Sequence, residues 1–202
     1  MTKTQLGIFG DGPRTLVADE TGTIDYFPEF ADPATASAWF EGLRESVPWQ
    51  HERRWMYDRQ VDVPRLVARY SLDDPQLPPP LHEIAEAAGE TTQTRFNSVG
   101  LNYYRNGRDS VAPHNDHLYE IVESHPIALL SLGATRLMTI RGKSKPRRSF
   151  DIDLEAGSLL VMSYETQLHY DHGVPKAKGV VGPRISVALR VRPADPAKTK
   201  PR

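Results

Sequence analysis

Three short clusters hold the residue types that could do chemistry. In His114-Asn115-Asp116 an imidazole and a carboxylate stand two residues apart. Side chains at i and i+2 of an extended segment project from one face, so both can reach the same metal ion. Two imidazoles and one carboxylate, with positions left open on one side, make the donor set of non-haem Fe(II) centres. The remaining ligand has to come from elsewhere, and His169 and His172 are the candidates. The second cluster is Arg184-Ile185-Ser186-Val187-Ala188-Leu189-Arg190. On a strand its two arginines share a face with Ser186 and Ala188, opposite the apolar Ile185, Val187 and Leu189. Such a face is either solvated or turned into a barrel lumen. In a lumen the arginines need anions, and a dicarboxylate supplies two groups that match the guanidinium fork. The third cluster, Asn102-Tyr103-Tyr104, sends an amide and a phenol to one side of an apolar strand.

These clusters need a framework, and the second half of the chain supplies one. Short apolar or alternating segments over 98–104, 127–132, 135–140, 149–154, 158–163 and 184–191 are each bounded by glycine, proline or charged turns. Strands at that spacing predict a sandwich or barrel. Upstream, 14–18 and 23–27 read as a strand pair. Asp32-Pro33 is a helix start, with Trp39, Phe40, Leu43 and Val47 at helical spacing, so a helix is expected over 33–46, stopped by Pro48. Residues 48–70 mix charge with Trp49, Trp55, Met56 and Tyr57 and read as an exposed hairpin or lid. A proline-rich loop at 71–80 leads to a short acidic helix at 81–88. The expected layout is α+β: a flexible lead-in (1–14), one domain (15–192) whose β core spans 95–192 beneath an N-terminal helical layer, and a disordered tail (193–202).

Composition narrows the classes. The 202 residues suit one domain, and 39% apolar with 25% charged residues allow a core. With 25 basic and 26 acidic side chains the net charge is −1, which excludes a uniformly basic coat but not a local basic patch. The absence of cysteine removes disulfides, thiolate nucleophiles, Fe–S clusters and cysteine zinc sites, so any metal is held by nitrogen and oxygen. No apolar run approaches the ~18 residues of a membrane span, and the first ten residues lack a signal-peptide pattern. The chain reads as soluble, intracellular and cytoplasmic, with no membrane association.

Taken together, the motifs resemble the AlkB family of Fe(II)- and 2-oxoglutarate-dependent dioxygenases. Asn102-x-Tyr104, His114-x-Asp116, His172, Arg184 and Arg190 occur in the family's order, with twelve residues from Asn102 to His114, twelve from His172 to Arg184, and six between the arginines. Thr92-Gln93-Thr94, Pro126 to Arg136, Gly157-Ser158-Leu159-Leu160-Val161-Met162, His172-Gly173-Val174-Pro175 and Val63-Pro64-Arg65 are similar to connecting segments of the family, so the likeness covers about 32–192. The resemblance implies a double-stranded β-helix, a jelly-roll-type barrel with its metal at the open end. It implies His114, Asp116 and His172 as Fe(II) ligands, with His169 outside the set. It implies Arg184 and Tyr104 on the far carboxylate of 2-oxoglutarate, Asn102 and Arg190 at the iron-proximal end, and O2 as the oxidant. The family's reaction hydroxylates an N-alkyl group, which leaves as formaldehyde, with succinate and CO2 as the other products.

For substrate, the resemblance implies 1-methyladenine- or 3-methylcytosine-type bases in DNA or RNA. Met56 and Tyr57 fall where relatives carry a duplex-probing hairpin. Residues 136–148 hold six basic side chains and no acid, and Arg141, Lys143, Lys145, Arg147 and Arg148 form a loop suited to phosphate contact. Two departures stand out. Several base-repairing relatives place an acidic residue two positions after the metal Asp, where this chain has Leu118, after His117. Relatives also have an aromatic strand where this chain has Arg69-Tyr70-Ser71-Leu72, so the aromatic partner of a flipped base is Tyr57, Tyr70, Trp55 or His117. A 2-oxoglutarate hydroxylase of a protein or small molecule is the alternative, with a noncatalytic nucleic-acid-binding module behind it. No obligate protein partner is expected, and the chain reads as a monomer.

Overall fold

A computed structural model of the chain describes residues 12–56 and 58–194, without the side chains of 54–56 and 59–61. Most of the expected lead-in and tail, and the side chains of Trp55, Met56 and Tyr57, lie outside the described residues. The first hairpin joins β1 (Arg14–Asp19) to β2 (Gly22–Phe27). Asp32 then caps α1 (Pro33–Ser46): its carboxylate accepts from the N–H groups of Ala34 at 2.9 Å and Thr35 at 3.1 Å. A cap of this kind contributes about 1 kcal/mol. Ala36, Trp39, Phe40 and Leu43 line the buried face of α1.

The hairpin expected at 48–70 consists of β3 (Gln50–Met56) and β4 (Arg59–Ser71). It is not wholly a lid. From Leu66 to Ser71, β4 pairs with β5 (Ser98–Tyr104) and belongs to the main sheet. Between them α2 (Pro79–Thr92) starts earlier than the expected helix, because prolines in its first turn lack an N–H that the turn would not use.

The second half continues with β6 (Val111–His114), a 3₁₀ turn at Leu118–Glu120, β7 (Ile127–Gly133), β8 (Arg136–Gly142), β9 (Ser149–Leu154) and β10 (Ser158–Met162). It ends with the single turn α3 (Thr166–His169), β11 (Tyr170–Val174) and β12 (Arg184–Arg190). Neither β6 nor β11 was among the expected strands, since both are short and carry polar ligand-type residues in place of an apolar pattern. The strands form an eight-stranded sheet ordered β1-β2-β10-β7-β12-β5-β4-β3 and a four-stranded sheet ordered β6-β11-β8-β9, all antiparallel. This is the expected jelly-roll arrangement.

Strand alternation divides the interior into two cores. Ile185, Val187 and Leu189 of β12 join Ala128, Leu130 and Leu132 of β7 under α1 and α2. The opposite faces meet the small sheet, where Ile24, Leu129, Met138, Ile140, Ile152 and Leu160 pack together. The polar face of β12 therefore points between the sheets. Among the described residues, no helix is long and apolar enough to cross a membrane.

Candidate active site

The two histidines of the cluster meet across a strand pair. β6 and β11 lie antiparallel with His114 opposite His172, and their rings are 4.6 Å apart between centroids. Close strand approach depends on Gly173: a Cβ there would stand 2.9 Å from the Pro113 nitrogen and 3.0 Å from the Val111 oxygen. His114 Nδ1 lies 3.0 Å from the Ala112 carbonyl oxygen. With Nδ1–H donating there, Nε2 keeps its lone pair for a metal.

Asp116 completes the group, and one ligand atom from each of His114, Asp116 and His172 lies within 4.8 Å of the others. Its N–H donates to Gln167 Oε1 at 3.0 Å, and its carboxylate accepts from Arg190 Nε. Burial alone would raise the Asp116 pKa, but the charge and hydrogen bond of Arg190, with the two histidines, hold it below the ordinary carboxylate value. His172 is buried, and desolvation, reinforced by His114, pushes it down to about 4. At neutral pH these two groups are a carboxylate and a neutral imidazole, the protonation states that ligate a metal. His169, at the end of α3, is outside the cluster.

Arg184 makes the second half of the site. It is 0% exposed; its Nε donates to Ser131 Oγ at 2.9 Å, and both Nη atoms are buried without a hydrogen-bond partner. Its guanidinium carbon sits 5.1 Å from the centre of the Tyr104 ring. A buried, unpaired guanidinium is costly, and burial lowers its pKa. Two free, parallel donors of this kind fit a carboxylate bidentately. Asn102 lies on the same face of β5 as Tyr104, and its Oδ1 accepts from Arg65 Nε at 2.6 Å, which leaves its NH2 group as donor. The donor set fits Fe(II), and the open fork of Arg184 fits the far end of a dicarboxylate.

Arg141, Lys143, Arg147 and Arg148 line a groove of about 470 Å³ with Pro113 and Asp171, which neighbour His114 and His172 in β6 and β11 and face the other side of the small sheet. The basic side chains are not equivalent. Arg136 is buried and donates to the carbonyls of Asn106, Asp109 and Pro175, so it ties loops together. Arg148 donates to Asp19 at 2.7 Å, and Lys143 Nζ donates to Asn115 and Gln167. Arg141, Lys145 and Arg147 are exposed, with no ion-pair partner among the described residues.

Of the remaining substrate candidates, Tyr70 sits differently from expectation. Tyr70 is on the face of β4 that packs under the helices, opposite in alternation to Arg65, so it is turned away from the site. Leu118 is half-buried and packs against the inner core. His117 is exposed and stacks on Tyr119, with ring centres 5.2 Å apart. Met56 and Tyr57 fall outside the described side chains. Sequence reasoning missed Gln167, Ser131 and the contact of Arg65. Only Arg65 carried a signal, through Val63-Pro64-Arg65.

Residues 23–190 match the family model of the 2OG-Fe(II) oxygenase superfamily. The chain is 32% identical over 207 residues to the alpha-ketoglutarate-dependent dioxygenase alkB homolog 3 of Homo sapiens, an overlap of 92% of this chain and 72% of that protein. For its Bos taurus counterpart the values are 34% over 188 residues, 84% and 66%. The DNA oxidative demethylase ALKBH2 of Homo sapiens is 35% identical over 119 residues, 55% of this chain and 46% of that protein.

Proposed function

The chain belongs to the AlkB family of the 2OG-Fe(II) oxygenase superfamily, as a dioxygenase that uses Fe(II), 2-oxoglutarate and O2, and from that premise we propose that it demethylates N-alkylated bases in DNA or RNA. The observation that carries the proposal is the His114, Asp116 and His172 group on the same inward side as the open fork of Arg184, since Arg190, which shares the Arg184 face of β12, reaches Asp116; a basic groove lies on the outer side of the small sheet. The names of the relatives, one a DNA oxidative demethylase, support nucleic acid as substrate.

In this reading His114, Asp116 and His172 hold the metal, and Arg190 keeps Asp116 ionised and aimed. Arg184 takes the far carboxylate of 2-oxoglutarate on its two free Nη groups, with Tyr104 stacked against it. Asn102 and Arg190 steady the iron-proximal end. When bound, iron with O2 and 2-oxoglutarate supplies the oxidising power to hydroxylate an N-methyl carbon, giving succinate and CO2. The N-hydroxymethyl base then loses formaldehyde and a proton, which restores the ring-nitrogen lone pair that accepts the Watson–Crick hydrogen bond. Methylation of the Watson–Crick edge removes pairing, so a 1-methyladenine or 3-methylcytosine is less costly to flip into the pocket. Arg141 and Arg147, with Lys145, contact phosphates and give salt-dependent affinity, while exposed His117 supplies an aromatic face to the base. All these residues come from one chain, which supports action as a monomer. Inside the cell Fe(II) stays reduced and alkylated nucleic acid is at hand, which supports an intracellular location.

The test is formaldehyde release from oligonucleotides bearing 1-methyladenine or 3-methylcytosine. The reading expects release that needs Fe(II) and 2-oxoglutarate and disappears in Asp116→Ala. Succinate formation with no formaldehyde from any methylated oligonucleotide would contradict it and point to a protein or small-molecule substrate.

A further inference from the structure

Lys143 is the one basic side chain of the groove that turns inward onto the ligand-bearing segments. Its Nζ donates to the Gln167 carbonyl at 2.7 Å and to Asn115 Oδ1 at 3.0 Å, and stands 3.7 Å from Asp171 Oδ1. Its own N–H donates to the His169 carbonyl at 2.9 Å, which fixes the start of the loop. Each of these neighbours flanks a candidate ligand. Asn115 separates His114 from Asp116, Asp171 precedes His172, and Gln167 accepts the N–H of Asp116 at its Oε1.

The residues that Lys143 holds are themselves fixed. Gln167 is 1% exposed, and its Nε2 donates to Thr166 Oγ1 at 3.1 Å, which in turn donates to the Ser163 carbonyl at 2.6 Å. The amide therefore has both ends engaged and keeps its acceptor toward Asp116. Asn115 Nδ2 donates to the Asp116 carbonyl at 2.9 Å. A chain of hydrogen bonds thus runs from α3 and Lys143 into the turn that carries two ligands.

We propose that Lys143 is a positioning residue for the metal-ligand turn and not one of the groove's phosphate contacts. The inference rests on reading His114, Asp116 and His172 as the metal ligands. An ammonium has three donors, and two are directed at Gln167 and Asn115, with the carboxylate of Asp171 facing the third. Lys143 also lines the groove and its side chain is about a third exposed, but its donors are engaged, whereas Arg141 and Arg147 have no ion-pair partner among the described residues and keep theirs for a phosphate. Hydrogen bonds made directly to metal ligands set their orientation, and losing one typically costs about 10–100-fold in metal affinity; Lys143 acts one residue further out, so its loss belongs at or below the lower end of that range.

The experiment uses the full chain and two readouts other than turnover. Co(II), a spectroscopic substitute for Fe(II), is titrated by its visible absorption, and binding to a fluorescent oligonucleotide is followed across salt concentrations. Lys143→Met is expected to weaken Co(II) binding severalfold, up to about tenfold, and to leave the salt slope as in the wild type. Asn115→Ala, which removes the link to Lys143 and spares the one to Gln167, is expected to give a metal defect too, and the double variant less than the sum of the two, because they share the Lys143–Asn115 bond. Arg147→Ser is the contrast, with a slope shallower by about 0.7–0.9 and Co(II) affinity unchanged. Unchanged Co(II) affinity in Lys143→Met, or a shallower slope of that size, overturns the inference. No Co(II) uptake by the wild-type chain would instead remove the metal reading on which it stands.

Discussion

Arg184 and Arg147 show how differently the floor and the rim of this site are built. Arg184 lies between the sheets, wholly buried, with Ser131 on one nitrogen and two nitrogens left open. Arg147 stands in solvent on the β8–β9 hairpin, where only the charge and the reach of the side chain matter. At the floor, strand register decides position: Arg184 faces Tyr104 on one side and Gly133 on the other, and Ser186 faces Asn102. A single unpaired donor there is expensive, and the proposed dicarboxylate would pair both open nitrogens. At the rim a cation loses little by waiting in water, so the phosphate affinity proposed there would be general and easily screened.

The contrast can be broken or sharpened by variants, and the largest effect belongs to the floor. Asp116→Ala should reduce turnover to background while circular dichroism shows the fold retained; residual turnover above background would move the chemistry elsewhere. Arg184→Met comes next. It removes two charge-assisted hydrogen bonds, worth roughly 1.5–3 kcal/mol each, so the KM for 2-oxoglutarate should rise at least about 100-fold. The same variant should raise the Tm of the ligand-free protein, by an amount equivalent to about 1–4 kcal/mol, because a buried unpaired charge is replaced by an apolar side chain. A lowered Tm would mean that Arg184 is already paired inside the fold.

Effects at the rim should be smaller. Arg141→Ser and Arg147→Ser should each weaken oligonucleotide binding severalfold at low salt and make the salt slope shallower by about 0.7–0.9. Both losses should fade at high salt. The smallest effect concerns Asp19, which anchors the hairpin through Arg148. Hydrogen bonds from Thr21 and then Arg148 lower its pKa from 3.8 to about 2. A depressed folded-state pKa contributes stability above the ordinary value that disappears as pH falls through about 2. The Tm difference between wild type and Asp19→Asn should therefore be present above pH 4 and gone near pH 2. A difference independent of pH would assign the anchor to something other than charge.

The floor was also the more legible half in sequence. Alternation in Arg184 to Arg190 left a solvated face or a lumen open, and burial of Arg184 and Ser186 shows the lumen. The helix at 33–46 could be read from Asp32 and Pro33, whose signals are local. The polar β6 and β11 could not, because their pairing is fixed by contacts with each other and with β8 across long stretches of chain. The same limit hid Gln167, which matters only because Asp116 folds back onto it. At the rim, a run of basic residues looks uniform in sequence. In the fold Arg136 is buried among carbonyls, Arg148 is held by Asp19, and Lys143 turns inward. Tyr70 was legible as an aromatic on a strand, but its face depended on a register set by β5.

The central claim is that metal and dicarboxylate share one pocket, with Arg184 as the second anchor. The most direct test is calorimetric titration of 2-oxoglutarate, without O2, into ligand-free and Co(II)-loaded protein. The account predicts tight binding to the loaded wild-type chain, much weaker binding without metal, and loss of the tight mode in both Asp116→Ala and Arg184→Met. Binding that is indifferent to Co(II), or equally tight in Arg184→Met, would contradict it.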